Sequence, residues 1–186
     1  IGSFDGIHRG HRAVLAATKE TGLAPTVITF DPHPRIALGN RVDLLTTLER
    51  RLELLDEAGI SDTLVAAFTQ ELQRLEPEEF AERYLRAIGT VAVVAGEDFR
   101  FGVRRSGDLA LLERLGFTVV VPEHVPGVSS TAIRAALGEG DVGGAASMLG
   151  RRFELDGTVV AGHQRGGTLG YPTANLLLEP DLAVPL

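Results

Sequence analysis

Strand-like and helix-like segments alternate along most of this chain, and the alternation limits the folds that it can adopt. Runs rich in β-branched and apolar residues occur at 26–30, 63–68, 90–95 and 118–121, with segments of helical length between them. A repeated strand–helix order is typical of a parallel sheet with helices packed on its faces. The sequence therefore predicts an α/β domain, which we assign to residues 1–149.

The predicted helices have recognisable boundaries. One helix begins at Ala13 and is closed by Gly22, and the next has leucines at helical spacing behind a capping box of Thr46 and Glu49. Pro77 opens a third, which Gly89 ends. Further helices are predicted over 109–115, from Ser129 onward, and over 142–149.

The pattern changes after Gly150. Residues 150–186 contain short strand-like pieces broken by glycines and show no helical periodicity. We predict that they begin a β-barrel domain, and a stretch of this length is too short to close a barrel. The sequence thus predicts a chain truncated at its C-terminus, and also a first strand of which only Ile1 and Gly2 remain.

Composition excludes several classes of function. The chain has no cysteine, so it has neither disulfides nor a thiolate metal site. Its net charge of −7 argues against a broad basic surface for nucleic acid. No apolar run approaches the roughly 18 residues of a membrane span. We expect a cytoplasmic protein without nucleic-acid or membrane partners.

The opening stretch GSFDGIHRGH, residues 2–11, is the first candidate site. Gly2, Gly6 and Gly10 allow a ligand to approach the backbone, and His8 and His11 share one face of a first helical turn. Two imidazole donors beside a helix N-terminus suit a polyphosphate. The residues alone leave three alternatives open, namely surface histidines without a role, a metal bound with Asp5, and glycines that serve only a tight turn.

A second candidate anion site occurs in VSSTAIRAAL, residues 128–137. Ser129, Ser130 and Thr131 are good N-cap residues, so hydroxyls and free N–H groups gather at one helix end. Arg134 adds a fork of donors one turn further on. In isolation this is an ordinary capped helix. Opposite the first site, it would hold a departing pyrophosphate.

These stretches resemble known signatures. GSFDGIHRGH is similar to the first signature of the H-x-G-H nucleotidylyltransferase superfamily, above all its flavin-specific branch, and VSSTAIR resembles the second. FDPHP at 30–34 and AGEDFRFG at 95–102 resemble two more blocks of that branch, and GTLGYPTANL at 167–176 resembles the riboflavin kinase P-T-A-N motif. Together they resemble the bifunctional riboflavin kinase/FAD synthetase family of bacteria, which implies a Rossmann-like first domain.

The resemblance implies adenylyl transfer from ATP to FMN, giving FAD and pyrophosphate. The FMN phosphate is already ionised, so the reaction needs no general base and depends on positioning and charge stabilisation. The implied catalytic residues are His8, His11 and Arg134. The implied ATP-binding residues are Gly2, Ser3, Phe4, Asp5, Gly6, Gly10, Ser129, Ser130 and Thr131. The implied flavin-binding residues are Phe30, Pro32, His33, Pro34, Asp98 and Arg100.

The resemblance also implies riboflavin phosphorylation by the second region, residues 150–186. Its implied nucleotide loop comprises Gly162, Arg165, Gly166, Gly170 and Pro172. Thr173 and Asn175 would be oxygen ligands for Mg²⁺. The catalytic glutamate of riboflavin kinases lies beyond Leu186, so we expect kinase activity only from a longer chain.

Three other functions are alternatives to FAD synthesis. Another H-x-G-H nucleotidylyltransferase would share the two histidines and Arg134 but has no need of a P-T-A-N motif. A non-catalytic flavin or nucleotide-binding fragment would bind FMN without releasing pyrophosphate from ATP. A metal hydrolase built on Asp5, His8 and His11 would lose its activity to a chelator.

Overall fold

The computed structural model describes residues 1–162, 170 and 173–186, which form a mixed α/β structure. Its strands are β1 (Thr26–Asp31), β2 (Asp62–Ala67), β3 (Ala92–Val94), β4 (Thr118–Val120), β5 (Gly157–Val160) and β6 (Asn175–Leu178). Its α-helices are α1 (Arg9–Glu20), α2 (Pro34–Ala37), α3 (Leu48–Glu57), α4 (Gln70–Arg74), α5 (Pro77–Phe80), α6 (Leu109–Arg114), α7 (Ser130–Gly138) and α8 (Val142–Leu149). After α5 the chain continues as a π-helical turn, Ala81–Leu85, and a 3₁₀ turn, Arg86–Ile88.

The strands of the first region, residues 1–149, pair in parallel, as the alternation of strands and helices predicts. β1 pairs with β2 from Thr26↔Asp62 to Asp31↔Ala67, and β3 pairs with β4. The two pairs are separate two-stranded sheets, and both β1 and β3 line a cavity of about 220 Å³. Gly2 N donates to Ile28 O at 3.0 Å, so the start of the chain runs beside β1. The opening stretch therefore lies near the carboxyl end of β1.

Two apolar clusters hold the elements that surround this end of β1. Phe4 and Ile7 pack with Leu15 of α1 and with Leu54 and Leu55 of α3. A second cluster joins α7 and α8, and its buried members are Leu45, Ile133, Leu137, Ala145, Leu149 and Ala183. Burying a side chain of this size contributes about 1.5–3 kcal/mol. The opening stretch is therefore fixed between α1 and α3, with the segment around Leu45 connecting it to α7.

Two helices begin at residues other than those predicted. The first begins at Arg9 rather than Ala13, because the side chain of His8 accepts from His11 N and caps the helix. The second begins at Leu48, where Thr47 is the N-cap and accepts from Arg50 N. The predicted capping box was wrong because the Thr46 hydroxyl is occupied elsewhere, as described below.

The region after Gly150 contains two described strands. β5 and β6 pair antiparallel, from Gly157↔Leu178 to Val160↔Asn175. Val159 is 69% exposed and Leu177 is 64% exposed, so this hairpin leaves apolar side chains uncovered. The strand content agrees with the predicted change of pattern, and the barrel itself stays a prediction.

Candidate active site

The opening turn, residues 3–8, directly precedes α1 and has a strained backbone. Phe4, Gly6 and Ile7 have φ values of +49°, +85° and +40°. A positive φ is unfavourable for a side chain such as that of Ile7, at a cost of order 1–3 kcal/mol, and it persists only where the surroundings enforce it. At Gly6 an added Cβ would lie 2.8 Å from Leu45 Cδ1, so this position requires glycine.

Distant parts of the chain hold the backbone of this turn. The carbonyl oxygens of Ser3, Asp5 and Gly6 accept from Thr29 Oγ1 at 3.2 Å, Ser130 Oγ at 3.0 Å and Arg151 Nη1 at 2.8 Å. The fourth contact is donated by the turn, from Gly6 N to Thr46 Oγ1 at 3.2 Å. The strained conformation is therefore enforced by β1, α7, the segment before α3 and the residue after Gly150.

Asp5 is the polar centre of the site. Its side chain is 1% exposed and accepts from Leu45 N at 2.9 Å and from Thr46 N at 3.1 Å. It also receives the Thr46 hydroxyl and forms an ion pair with Nη2 of Arg134, whose Nε donates to Asp43 O at 2.6 Å. Both carboxylate oxygens of Asp5 thus have protein donors. The carboxylate joins the opening turn to α7.

The site offers little support for a metal held by Asp5, His8 and His11. Both oxygens of Asp5 already accept from protein donors. Among residues 1–162, 170 and 173–186, no three histidine or acidic side chains are grouped to hold an ion. The described residues therefore do not fit a protein-bound metal at the opening turn.

His8 and His11 form a stacked pair at the start of α1. Their ring centroids are 3.7 Å apart with planes inclined by 15°. His8 Nδ1 accepts from His11 N at 3.2 Å, which assigns the proton of neutral His8 to Nε2. A Cβ at Gly10 would lie 3.2 Å from this ring, so Gly10 leaves room for the imidazole.

Both histidines are neutral at physiological pH. Burial lowers the pKa of His8 to about 4, with the charge of Asp5 opposing the shift. Burial lowers the pKa of His11 well below its ordinary value, and His8 adds to the effect. A neutral His8 with its proton on Nε2 remains a hydrogen-bond donor toward a ligand.

The N-terminus of α7 meets the opening turn. Ser129 caps the helix by accepting from Ala132 N at 3.1 Å, and Thr131 is exposed. Ser130 and Arg134 both contact Asp5, through its carbonyl and its carboxylate. The structure therefore brings together the two stretches that the sequence predicts as anion sites.

The candidate flavin-binding residues fall into two groups. His33 is buried, caps α2 by accepting from Arg35 N at 3.2 Å, and has its pKa lowered mainly by burial, with Asp5 opposing. Phe30 packs edge-on against Phe68 in the core. Pro32 is exposed and Pro34 is half-buried. Asp98 and Arg100 are both exposed on the loop after β3. Arg100 Nη1 donates to Phe99 O at 2.7 Å.

Part of the candidate kinase loop is described. The Asn175 amide lies against Gly162, where an added Cβ would come within 2.0 Å of Asn175 Nδ2. Thr173 is exposed and Gly170 has a φ of +79°. The other three candidates lie outside the described residues, namely Arg165, Gly166 and Pro172.

Sequence reasoning missed three residues that shape the site. Thr46 was assigned to a helix cap, although it contacts Asp5 and Gly6. Arg51 is 1% exposed and donates to Thr29 Oγ1 at 3.3 Å and Phe30 O at 3.1 Å. Arg151 reaches the Gly6 carbonyl. None of these contacts has a local sequence signal, since each joins residues more than 20 positions apart.

The fold and site define an α/β protein with a glycine- and histidine-containing turn at a strand end, clamped to a second helix N-terminus. Comparison with known families gives two matches, FAD synthetase over residues 1–133 and riboflavin kinase over residues 149–185. The chain therefore belongs to the FAD synthetase family. The family resemblance drawn from its motifs is confirmed.

Curated relatives carry the same two activities in their name. Proteins named bifunctional riboflavin kinase/FMN adenylyltransferase from Listeria monocytogenes and Bacillus subtilis are 37% and 35% identical over the whole of this chain. The Escherichia coli protein of that name is 36% identical over 98% of it. The chain spans 63% of the length of each of these relatives.

A solved structure shares the fold. A Streptococcus pneumoniae protein described as a macrolide-efflux protein superposes with a TM-score of 0.85 and 32% identity, over all of this chain and 65% of that one. In the described part of the present chain, every helix is too short or too polar to cross a membrane.

Proposed function

We propose that this protein transfers the adenylyl group of ATP to FMN, forming FAD and pyrophosphate. The observation that carries the proposal is the meeting of the opening turn and α7 at Asp5. A ligand beside the opening turn would therefore lie near two helix N-termini, two neutral histidines and an arginine. Membership of the FAD synthetase family and the names of the relatives support the same reaction.

The proposed chemistry depends on charge stabilisation. A phosphate oxygen of FMN attacks the α-phosphorus of ATP in line, and the bond to the β-phosphate oxygen breaks. Negative charge then accumulates on the departing pyrophosphate. His8 donates from Nε2, and His11 lies directly against it. Preorganised donors of this kind stabilise a transition state because they need no reorganisation as charge develops.

We assign the departing pyrophosphate to α7. Ser129 and Thr131 are exposed at the helix N-terminus, where free N–H groups favour an anion. Arg134 makes no described hydrogen bond through Nη1, so this nitrogen remains as a donor beside Asp5. ATP would enter as its magnesium complex, with the ion part of the substrate.

The remaining assignments extend this proposal. Residues 1–149 would be a Rossmann-like adenylyltransferase domain, and residues 150–186 the first part of a β-barrel riboflavin kinase domain. FMN would lie near His33, on which the charges of Asp5 and Arg134 also act. Thr173 and Asn175 would face Mg²⁺ and the nucleotide of the kinase reaction. We place the enzyme in the cytoplasm, with ATP, FMN and riboflavin as its substrates.

Flavin fluorescence tests the proposal, because FAD is much dimmer than FMN. With ATP and Mg²⁺, we expect FMN fluorescence to fall while pyrophosphate appears in equal amount. His11→Ala should lower turnover by on the order of a hundredfold or more and weaken FMN binding much less. His124→Ala changes an exposed histidine outside the site and should leave both unchanged. FMN binding without pyrophosphate release would instead support a non-catalytic flavin-binding fragment.

A further inference from the structure

The Gly6 carbonyl receives its hydrogen bond from outside the first region. Arg151 Nη1 donates to this oxygen at 2.8 Å, within hydrogen-bonding range and across 145 positions of sequence. Gly6 lies two residues before His8, inside the left-handed part of the opening turn. The contact therefore acts on the backbone that aims the histidine pair.

Arg151 belongs to the stretch that matches riboflavin kinase, residues 149–185. It follows Gly150, which ends α8 in the left-handed conformation with a φ of +72°. At Gly150 an added Cβ would lie 3.3 Å from Arg9 Cγ, so the end of α8 packs close to the beginning of α1. This packing brings the Arg151 side chain to the opening turn.

The guanidinium is held in a restricted setting. Arg151 is half-buried, and its Nε is buried without a hydrogen-bond partner in the described part of the chain. Arg151 forms no ion pair among those residues, whereas the neighbouring Glu154 pairs with Arg50 at 2.9 Å. Its principal contact is a charge-assisted hydrogen bond to the Gly6 carbonyl, stronger than a bond between neutral groups.

We propose that Arg151 is a positioning residue for adenylyl transfer, supplied to the first active site by the second region. It fixes Gly6 O, and with it the strained path from Gly6 through Ile7 to His8. The inference rests on the proposed function for its kinetic consequence. The contact itself can be tested separately.

The alternative is that Arg151 only attaches the second region to the first. Arg50 distinguishes the two possibilities, because it joins α3 to Glu154 without contacting the opening turn. If general attachment is what matters, removing either arginine should have the same effect on the reaction. If positioning is what matters, only the loss of Arg151 should affect it.

The test compares Arg151→Met with Arg50→Met and Arg152→Met in the 186-residue chain, Arg152 being an exposed neighbour. Misplacement of catalytic groups by about 1 Å can cost on the order of a hundredfold in rate. We therefore expect Arg151→Met to lower kcat for FAD formation by roughly tenfold or more, with KM for ATP changed less. Both control variants should keep the wild-type kcat.

Two further measurements guard this test against loss of folding and against failure of the proposed function. Arg151→Lys keeps the charge and should recover part of the lost kcat. Hydrogen exchange in a peptide covering residues 4–8 should speed up in Arg151→Met and stay unchanged in Arg50→Met, whatever the activity. Equal kcat in the Arg151 and Arg152 variants, or equal loss in the Arg151 and Arg50 variants, would overturn the inference. A wild-type chain that forms no FAD, with the exchange difference intact, would overturn the proposed function alone.

Discussion

Asp5 illustrates how a residue in a recognised motif can act through the protein rather than on a ligand. The motif implied that it binds ATP, whereas its described contacts are to backbone N–H groups, the Thr46 hydroxyl and Arg134. A buried carboxylate is tolerated only when donors compensate for its lost hydration. The carboxylate therefore organises the candidate ligand-binding groups on both sides of it.

The neutral state of His8 predicts a pH dependence of stability. An unfolded histidine takes up a proton near pH 6.5, whereas His8 in the folded chain does so only near pH 4. Between these values the unfolded state binds more protons, so the free energy of unfolding decreases as the pH falls. In His8→Asn the amide oxygen can replace Nδ1 as the capping acceptor, and this titration is removed.

We expect urea midpoints measured at about pH 7.5 and about pH 5 to differ less in His8→Asn than in the wild-type chain. His11 and His33 also have lowered pKa values, so part of the dependence should remain in the variant. An unchanged difference between the two pH values would contradict the buried, neutral state of His8.

Among the elements, α7 contributes to the site through its N-terminus. Ser129 caps the helix, whereas Ser130 reaches the opening turn. The two neighbouring serines therefore have different roles. The Ser129 cap stabilises the helix itself, and the Ser130 contact fixes the position of the helix against the opening turn.

Ser130→Ala should separate placement from helix stability. Losing one hydrogen bond costs about 0.5–1.5 kcal/mol of unfolding free energy, and removing the Thr47 cap of α3 costs about 0.5–2 kcal/mol. We expect a similar small loss of stability in Ser130→Ala and Thr47→Ala, measured by urea denaturation. Only Ser130→Ala should lower kcat for FAD formation. Equal kcat values in Ser130→Ala and Thr47→Ala would contradict a role for the Ser130 contact in placing α7 for the reaction.

The elements also show what could be predicted from the sequence. The parallel pairs and the α8 boundaries follow from local apolar patterns and glycine signals. The start of α3 was mispredicted because Thr46 and Thr47 are equally good caps locally. The choice between them depends on Asp5, which lies 41 positions away. Contacts between residues so far apart in sequence cannot be read from helical or strand periodicity.

In the whole molecule, residues 181–183 are joined to the segment that contacts the opening turn. Ala183 N donates to Leu44 O at 2.7 Å, and Leu44 N donates to Asp181 O. The next two residues, Leu45 and Thr46, donate to Asp5. Together with the Arg151 contact, these hydrogen bonds connect the second region to residues around the opening turn. Motifs identified both regions, but only the folded structure shows these connections.

Hydrogen exchange on binding ATP tests most directly whether the opening turn and α7 hold a single nucleotide. Upon addition of MgATP, we expect slower amide exchange in residues 4–11 and in residues 129–134 at the same nucleotide concentration. Helix α6, Leu109–Arg114, contains none of the candidate site residues and serves as an internal reference. Protection of one segment alone, or of the two at clearly different ATP concentrations, would contradict the shared site.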